Sequence, residues 1–197
     1  VFAFVATHNH FVLDRGGKVF NRSAPVIKLP EGAGEDEHLE LLGLLNSSTA
    51  CFWMKQVFHS KGNATAASGM PDQPWSWNWE FDSTKLRQFP LPTGRPLELA
   101  RALDTAAREL SGVLPAAVAE REPPTRAVLD AARAEAVRLR RRMVALQEEL
   151  DWRCYQLYGL LDEDLTYDLE RLPEIDRGQR AFEIALARRM AAGEVST

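Results

Sequence analysis

The stretch that decides the fold of the second half of the chain is residues 125–161, TRAVLDAARAEAVRLRRRMVALQEELDWRCYQLYGLL. Its apolar residues are spaced alternately three and four positions apart, which is the heptad pattern of a coiled-coil seam. The residues of this seam are Leu129, Ala132, Ala136, Leu139, Met143, Leu146 and Leu150. The pattern predicts one long helix, about 55 Å in length if it is unbroken.

A second stretch with the same spacing, residues 96–113, predicts another helix. Its seam consists of Leu99, Leu103, Ala106, Leu110 and Val113. The prolines between the two stretches, at positions 115, 123 and 124, predict a turn, so we expect the two helices to pack as an antiparallel pair. After residue 162 we predict a helical tail that contains one last amphipathic helix over 179–191.

The first half of the chain has a different pattern. Short apolar runs predict strands over residues 1–6, 11–13, 19–20 and 26–29, and Gly16 and Gly17 can supply the positive φ of a tight hairpin. We predict a helix from about 37 to 59, an irregular loop over 60–83 and an extended segment over 86–92. The fold class is therefore α+β, with a mixed strand and helix domain over 1–95 and a helical region over 96–197.

The composition is that of a cytoplasmic globular protein. The 197 residues are 45% hydrophobic, yet the chain has no apolar run long enough to span a membrane and no signal peptide. The apolar start at Val1 favours a cut inside a longer protein. Cys51 and Cys154 lie far apart in apolar helical patterns, so we expect no disulfide framework. The formal net charge of -4 means that any nucleic-acid binding must come from a local patch.

Two groups of residues could form such a patch. The first is the predicted hairpin, where cations that can pair with phosphates stand beside amides that can contact base edges. It consists of Asn9, Arg15, Lys18, Asn21, Arg22 and Lys28, and a solvated hairpin explains it equally well. The second is the irregular loop, because clustered tryptophans are unfavourable to expose without a partner. The tryptophans could instead cover the core, since alternation places them on one side of a strand.

The DNA-binding candidates are Asn9, Arg15, Lys18, Asn21, Arg22, Lys61, Asn63, Trp75, Trp77, Asn78 and Lys85. The arginines at 138 and 140–142 are interpreted as a solvated face of the long helix. His8-Asn9-His10 is not the scattered residue set of an HNH nuclease, and the histidines lack the carboxylates or cysteines of a metal site. We interpret them as polar residues at a strand end and predict neither a metal site nor a catalytic residue.

Several stretches resemble the C-terminal region of the PglX-like adenine-specific DNA methyltransferases of bacterial BREX phage-defence systems. They are HFVLDRGGKVFNRSAP (10–25), LGLLNSS (42–48), FWMKQV (52–57), KLRQFPLP (85–92) and ELDWRCYQLYGL (149–160). The combination of LLNS, a variable loop and PLP is also similar to the target-recognition domains of Type I specificity subunits and fused restriction-modification enzymes.

The resemblance implies a region that holds double-stranded DNA and selects a site, while an upstream domain methylates an adenine with S-adenosylmethionine. This chain lacks a glycine-rich cofactor turn and an Asn/Asp-Pro-Pro-aromatic motif, so we expect it to hold no cofactor and to be inactive alone. The helical pair would separate recognition modules or dock other defence-system subunits. The alternative function is a protein-interaction module for such a subunit; a stand-alone hydrolase has no nucleophile and base arrangement in its favour.

Overall fold

The structure is a computed structural model that describes residues 1–63, 77–175 and 193. The chain divides into two compact units. Unit 1 consists of Val1–Leu97 with Cys154–Asp162, and unit 2 consists of Glu98–Arg153 with Glu163–Thr197. Strands and helices are both present, which confirms the α+β class. The predicted domains 1–95 and 96–197 remain a prediction, and residues 154–162 belong to unit 1 in the structure.

The sheet of unit 1 has three antiparallel strands: β1 (Val5–Ala6), β2 (His59–Asn63) and β3 (Trp77–Glu80), in the order β1-β3-β2. The prediction of an irregular loop over 60–83 was therefore wrong at both of its ends. A bulge interrupts the β2–β3 pairing between Ser60 and Gly62, where Gly62 has a φ of 69°. Such bulges add one residue to a strand and tighten its twist.

The predicted strands over 11–13, 19–20 and 26–29 are not present. Instead, single backbone hydrogen bonds join extended segments: the Phe2 amide donates to the Pro25 carbonyl, and the Phe4 amide donates to the Ser23 carbonyl. Phe2 and Phe11 form one isolated bridge. Gly16 and Gly17 do have positive φ angles, 105° and 82°, as predicted, but they form a bend without the flanking hairpin.

The predicted helix over 37–59 is two helices, α1 (Glu35–Leu45) and α2 (Ser48–Val57). The break falls at Asn46 and Ser47, whose side chains compete for backbone hydrogen bonds. The buried Ser47 hydroxyl donates to the Leu44 carbonyl at 2.7 Å and accepts from the Ala50 amide at 3.1 Å, so it caps α2. A short helix, α3 (Ser83–Leu86), replaces the start of the extended segment predicted over 86–92.

An aromatic cluster forms the part of the unit 1 core nearest the returning segment 154–162. Trp53 meets Phe58 and Phe89 edge to face, and Phe58 contacts Phe81. Tyr158 packs against Phe89, with ring centres 6.3 Å apart, and donates its hydroxyl to the Pro90 carbonyl at 2.8 Å. Residues 154–162 therefore complete the core of unit 1.

Unit 2 contains most of α4 (Leu97–Gly112), the whole of α5 (Pro115–Arg121) and most of α6 (Arg126–Leu157). The long helices agree with the predicted stretches within a few residues. Seam residues of both are buried, namely Leu99, Ala106, Ala136, Leu139, Leu146 and Leu150. Helix α5 was not predicted, because Pro115 was interpreted as a turn residue, whereas it lies in the first turn of the helix, where proline is tolerated.

Side chains of α4, including Arg101 and Glu109, line a common cleft with Arg142 of α6. The two helices therefore lie side by side, and their coiled-coil character stays a prediction. The tail helix predicted over 179–191 lies outside the described residues. Within the part of the chain that is described, no helix has the length and apolar character required to cross a membrane.

Candidate nucleic-acid interface

Three of the four cations predicted for the first patch lie in an exposed loop, residues 14–22, which we call the basic loop; the fourth, Lys28, is exposed and follows that loop in sequence. Arg15 is 38% exposed and pairs with Glu35 in the first turn of α1, at 2.5 Å from Nη2 to Oε1. Lys18 is 73% exposed and lies 3.8 Å from the carboxylate of Asp14. Arg22 is exposed. Exposed ion pairs contribute at most about 1 kcal/mol, so phosphates can replace these carboxylates as partners of Arg15 and Lys18.

The two candidate amides of this region have internal roles. Asn9 is half-buried, and its Nδ2 donates to the Leu45 carbonyl at 2.7 Å and to the Ser47 carbonyl at 3.3 Å. Asn21 accepts the Ser23 amide at 2.9 Å, which closes a local turn. Asn9 thus satisfies one carbonyl at the end of α1 and one at the N-cap of α2, and the Asn21 oxygen stabilises the turn next to Arg22.

The second patch lies on β2 and β3. Lys61 forms an ion pair with Glu80, and Trp77 is 38% exposed. Asn78 is half-buried and lies opposite Gly62 in the register. Because neighbouring residues of a strand point to opposite faces, Asn78 and Trp77 lie on different faces of the sheet.

For the remaining DNA-binding candidates, the described residues include only some of the backbone and side-chain positions. The backbone of Asn63 pairs with that of Trp77, while the side chain of Asn63 and the whole of Trp75 lie outside the described residues. Lys85 is half-buried in α3, where its amide donates to Asp82 at 2.9 Å. The structure therefore brings Lys61, Trp77 and Asn78 onto two paired strands, separate in sequence from the basic loop.

Three basic side chains that were not among the candidates lie beside the sheet. The ammonium of Lys55, on α2, lies 4.7 Å from the ring centre of Trp79, which is a cation–π contact. The rings of His8 and His10 are 4.2 Å apart at their centres. We call these residues the histidine–lysine cluster. The sequence indicated the histidines only as strand-end residues, and no periodic pattern could have shown that Lys55 approaches Trp79.

The electrostatics of the cluster differ from those of the basic loop. Partial burial lowers the pKa of His8 below 6.5, although the residue is exposed overall, and the positive charges of His10 and Lys55 lower it further. Thr7 Oγ1 lies 2.8 Å from His8 Nδ1, so this hydroxyl can donate to a neutral ring or accept from a charged one. The neutral form of His8 is therefore favoured more strongly than in a free histidine.

The arginine run of α6 is partly neutralised. Arg138 pairs with Glu135 at 2.5 Å, and Arg141 lies 3.7 Å from Glu174.

Elsewhere in unit 2, the buried carboxylate of Glu149 accepts the Tyr167 amide at 2.5 Å, and burial raises the pKa of Glu149. Within residues 1–63, 77–175 and 193, no group of three or more histidine, cysteine or acidic side chains could hold a metal ion.

Comparison with known proteins gives one strong similarity. The chain is 54% identical over 202 residues to the adenine-specific methyltransferase PglX of Streptomyces coelicolor, and the match includes 99% of this chain. The chain spans 17% of the length of that relative. Residues 143–197 match a family described as a domain of unknown function, DUF7008. No solved structure matches the chain.

Proposed function

We propose that this chain is the DNA target-recognition region of an adenine-specific DNA methyltransferase of the phage-defence type. The observation that carries the proposal is the 54% identity to PglX, which extends over 99% of the chain. The chain corresponds to 17% of that protein, so the methyltransferase activity, the S-adenosylmethionine cofactor and the upstream catalytic domain belong to the proposal for the parent protein. Double-stranded DNA and that catalytic domain are the proposed partners.

Unit 1 is the part that we propose contacts DNA. The exposed cations of the basic loop would position the duplex by pairing with phosphates, which conveys no sequence information by itself. Asn63 and Asn78, on the paired strands β2 and β3, would contact base edges, where a good amide–adenine pair contributes roughly 1–3 kcal/mol of discrimination. The target adenine would be turned out of the duplex into the separate catalytic domain.

The competing hypothesis is a protein-interaction module that docks another subunit of the defence system. An apolar interface responds weakly to salt, whereas each protein cation that replaces a counterion on duplex DNA steepens the salt dependence of affinity by about one unit. The test is therefore the affinity of the 197-residue chain for duplex DNA across a series of salt concentrations, with DNA of several sequences.

The variant for this test is Lys18→Ala, which should weaken binding to every sequence alike and flatten the salt slope by about one unit. Arg126→Ala is the matched control, because Arg126 is a 94% exposed cation of unit 2 that pairs only weakly, at 3.6 Å, with Asp130. The control should leave the slope unchanged. Equal effects of the two substitutions, or affinity independent of salt, would favour the interaction module.

A second test concerns catalysis. The purified chain should transfer no methyl group from S-adenosylmethionine to any duplex, because it encodes neither a cofactor turn nor an adenine-binding motif. Incorporation of labelled methyl groups by the chain alone would overturn this part of the proposal.

A further inference from the structure

The segment that carries His8 and His10 is held in place by the residue between them. The Asn9 side chain is hydrogen-bonded to two carbonyls, of Leu45 and Ser47, and both neighbouring histidines are exposed. Their rings are 4.2 Å apart and inclined by 50°. The two imidazoles are thus presented as a pair from an anchored backbone.

Lys55 joins this pair from another element. Its ammonium lies 4.7 Å from the ring centre of Trp79, and Trp79 pairs with Ala6, two residues before His8. The indole therefore fixes a third cation beside the histidines. A lysine held over an aromatic face has lost part of its freedom before any ligand binds, which lowers the entropic cost of binding.

Within the described part of the chain, no acidic side chain forms an ion pair with His8, His10 or Lys55, whereas some of the DNA-binding candidates do have acidic partners. Arg15 pairs with Glu35, and Lys61 pairs with Glu80. Among the described residues, the two charged groups that act on His8 are His10 and Lys55, both cations. Glu80, the acid of β3, alternates with Trp79 and so lies on the other face of the sheet, as does its pairing partner in the register, His59.

We propose that His8, His10 and Lys55 form a binding site for a phosphate oxyanion. The inference rests on the proposed function in one respect: in a DNA-recognition region the oxyanion is a backbone phosphodiester. Two imidazole N–H groups and an ammonium supply donors, and the bound negative charge offsets the mutual repulsion of the three cations.

A consequence is that binding should depend on pH. Phosphate beside the cluster favours charged imidazoles, so it should raise the pKa of His8. Each unit by which the pKa of His8 rises on binding corresponds to tenfold tighter binding, once the pH is below the pKa values of both the unbound and the bound state. We expect duplex affinity of the 197-residue chain to be higher at pH 6 than at pH 8, at constant ionic strength, and to rise further as the pH falls towards the lowered pKa of unbound His8.

The experiment is an NMR titration of the histidine ring protons of the chain against pH. The titration is run on the chain alone, on the chain with inorganic phosphate and on the chain with a short DNA duplex. The variants are His10→Gln and Lys55→Gln, and His38→Gln is the matched control, because His38 lies on α1 with its Nδ1 bonded to the Gly34 carbonyl at 2.6 Å. The histidine signals themselves show whether each variant is folded.

The expected result is that phosphate and duplex both raise the pKa of His8 in the wild type and the His38→Gln control, but not in His10→Gln or Lys55→Gln. If phosphate alone has this effect and no duplex binds, the site is supported with free phosphate as its ligand, and the proposed function fails. If neither raises the His8 pKa, the inference is overturned; duplex binding in that case leaves the proposed function standing.

Discussion

Units 1 and 2 are stabilised by different kinds of contact. In unit 1, polar side chains bind partners far away in sequence: Asn46 pairs with the backbone of Phe11, 35 residues away, and the Ser48 and Tyr155 hydroxyls, 107 residues apart, share a hydrogen bond of 2.8 Å. In unit 2, apolar seam residues recur along long helices, and Leu139 and Leu146 are 1% and 2% exposed. Unit 1 should therefore be sensitive to loss of single hydrogen bonds, and unit 2 to buried charge.

The largest effect should come from Leu139→Asp in unit 2. A carboxylate at this position, where the leucine is 1% exposed, would be moved from water into an apolar seam, which destabilises the fold by roughly 3–5 kcal/mol. Val137→Asp is the matched control, because Val137 lies on the same helix and is 41% exposed. Thermal melting should distinguish the two clearly, and similar melting temperatures would show that the seam is not a buried interface.

The next largest effect should come from Asn46→Asp in unit 1. Asn46 donates to the Phe11 carbonyl and accepts the Phe11 amide, both at 3.0 Å. A carboxylate loses the donor and faces that carbonyl with a like partial charge, at a cost of about 2–3 kcal/mol. Asn21→Asp is the control, since the Asn21 oxygen accepts an amide and a carboxylate can do the same. Equal denaturant midpoints for both variants would contradict this role of Asn46.

The two substitutions also show which parts of the fold are predictable from sequence. The seam around Leu139 was predictable because helical periodicity is local. The break at Asn46 was missed because the leucines before it and the aromatics after it continue a helical pattern, while the competing hydrogen bonds come from the distant Phe11 and Asn9. The lysine–tryptophan contact of the candidate site was hidden for the same reason, since Lys55 and Trp79 belong to different elements.

A smaller effect, of opposite sign, is expected from Glu149→Gln in unit 2. Burial raises the pKa of Glu149 above 4.5, so its ionisation opposes folding increasingly as the pH rises through 4.5 and the folded-state pKa. An amide keeps an acceptor for Tyr167 without the charge. At neutral pH the melting temperature of the variant should equal or slightly exceed that of the wild type. In acid, where Glu149 is protonated, this difference in melting temperature should vanish. A large loss of stability at neutral pH would show that the charge is required.

The smallest expected effect on stability is that of His8 in unit 1. Its pKa is lowered from 6.5 in the folded state, so protonation favours the unfolded chain. The loss begins as the pH falls through 6.5 and is complete below the folded-state pKa. The melting temperature of His8→Gln should therefore change less with pH than that of the wild type over this window. Identical pH profiles of melting temperature would count against the lowered pKa.

A genome-wide map of methylated adenines made by the proposed parent methyltransferase tests most directly whether strands β2 and β3 of unit 1 select the DNA site. Expression and melting temperature are matched between the wild type, Lys18→Ala and Asn63→Ala. Lys18→Ala should lower methylation at an unchanged motif, because a phosphate contact serves all sequences alike, and Asn63→Ala should broaden the motif at one position. If Asn63→Ala and Asn78→Ala both leave the motif and the extent of methylation unchanged, β2 and β3 do not select the site and this account is contradicted.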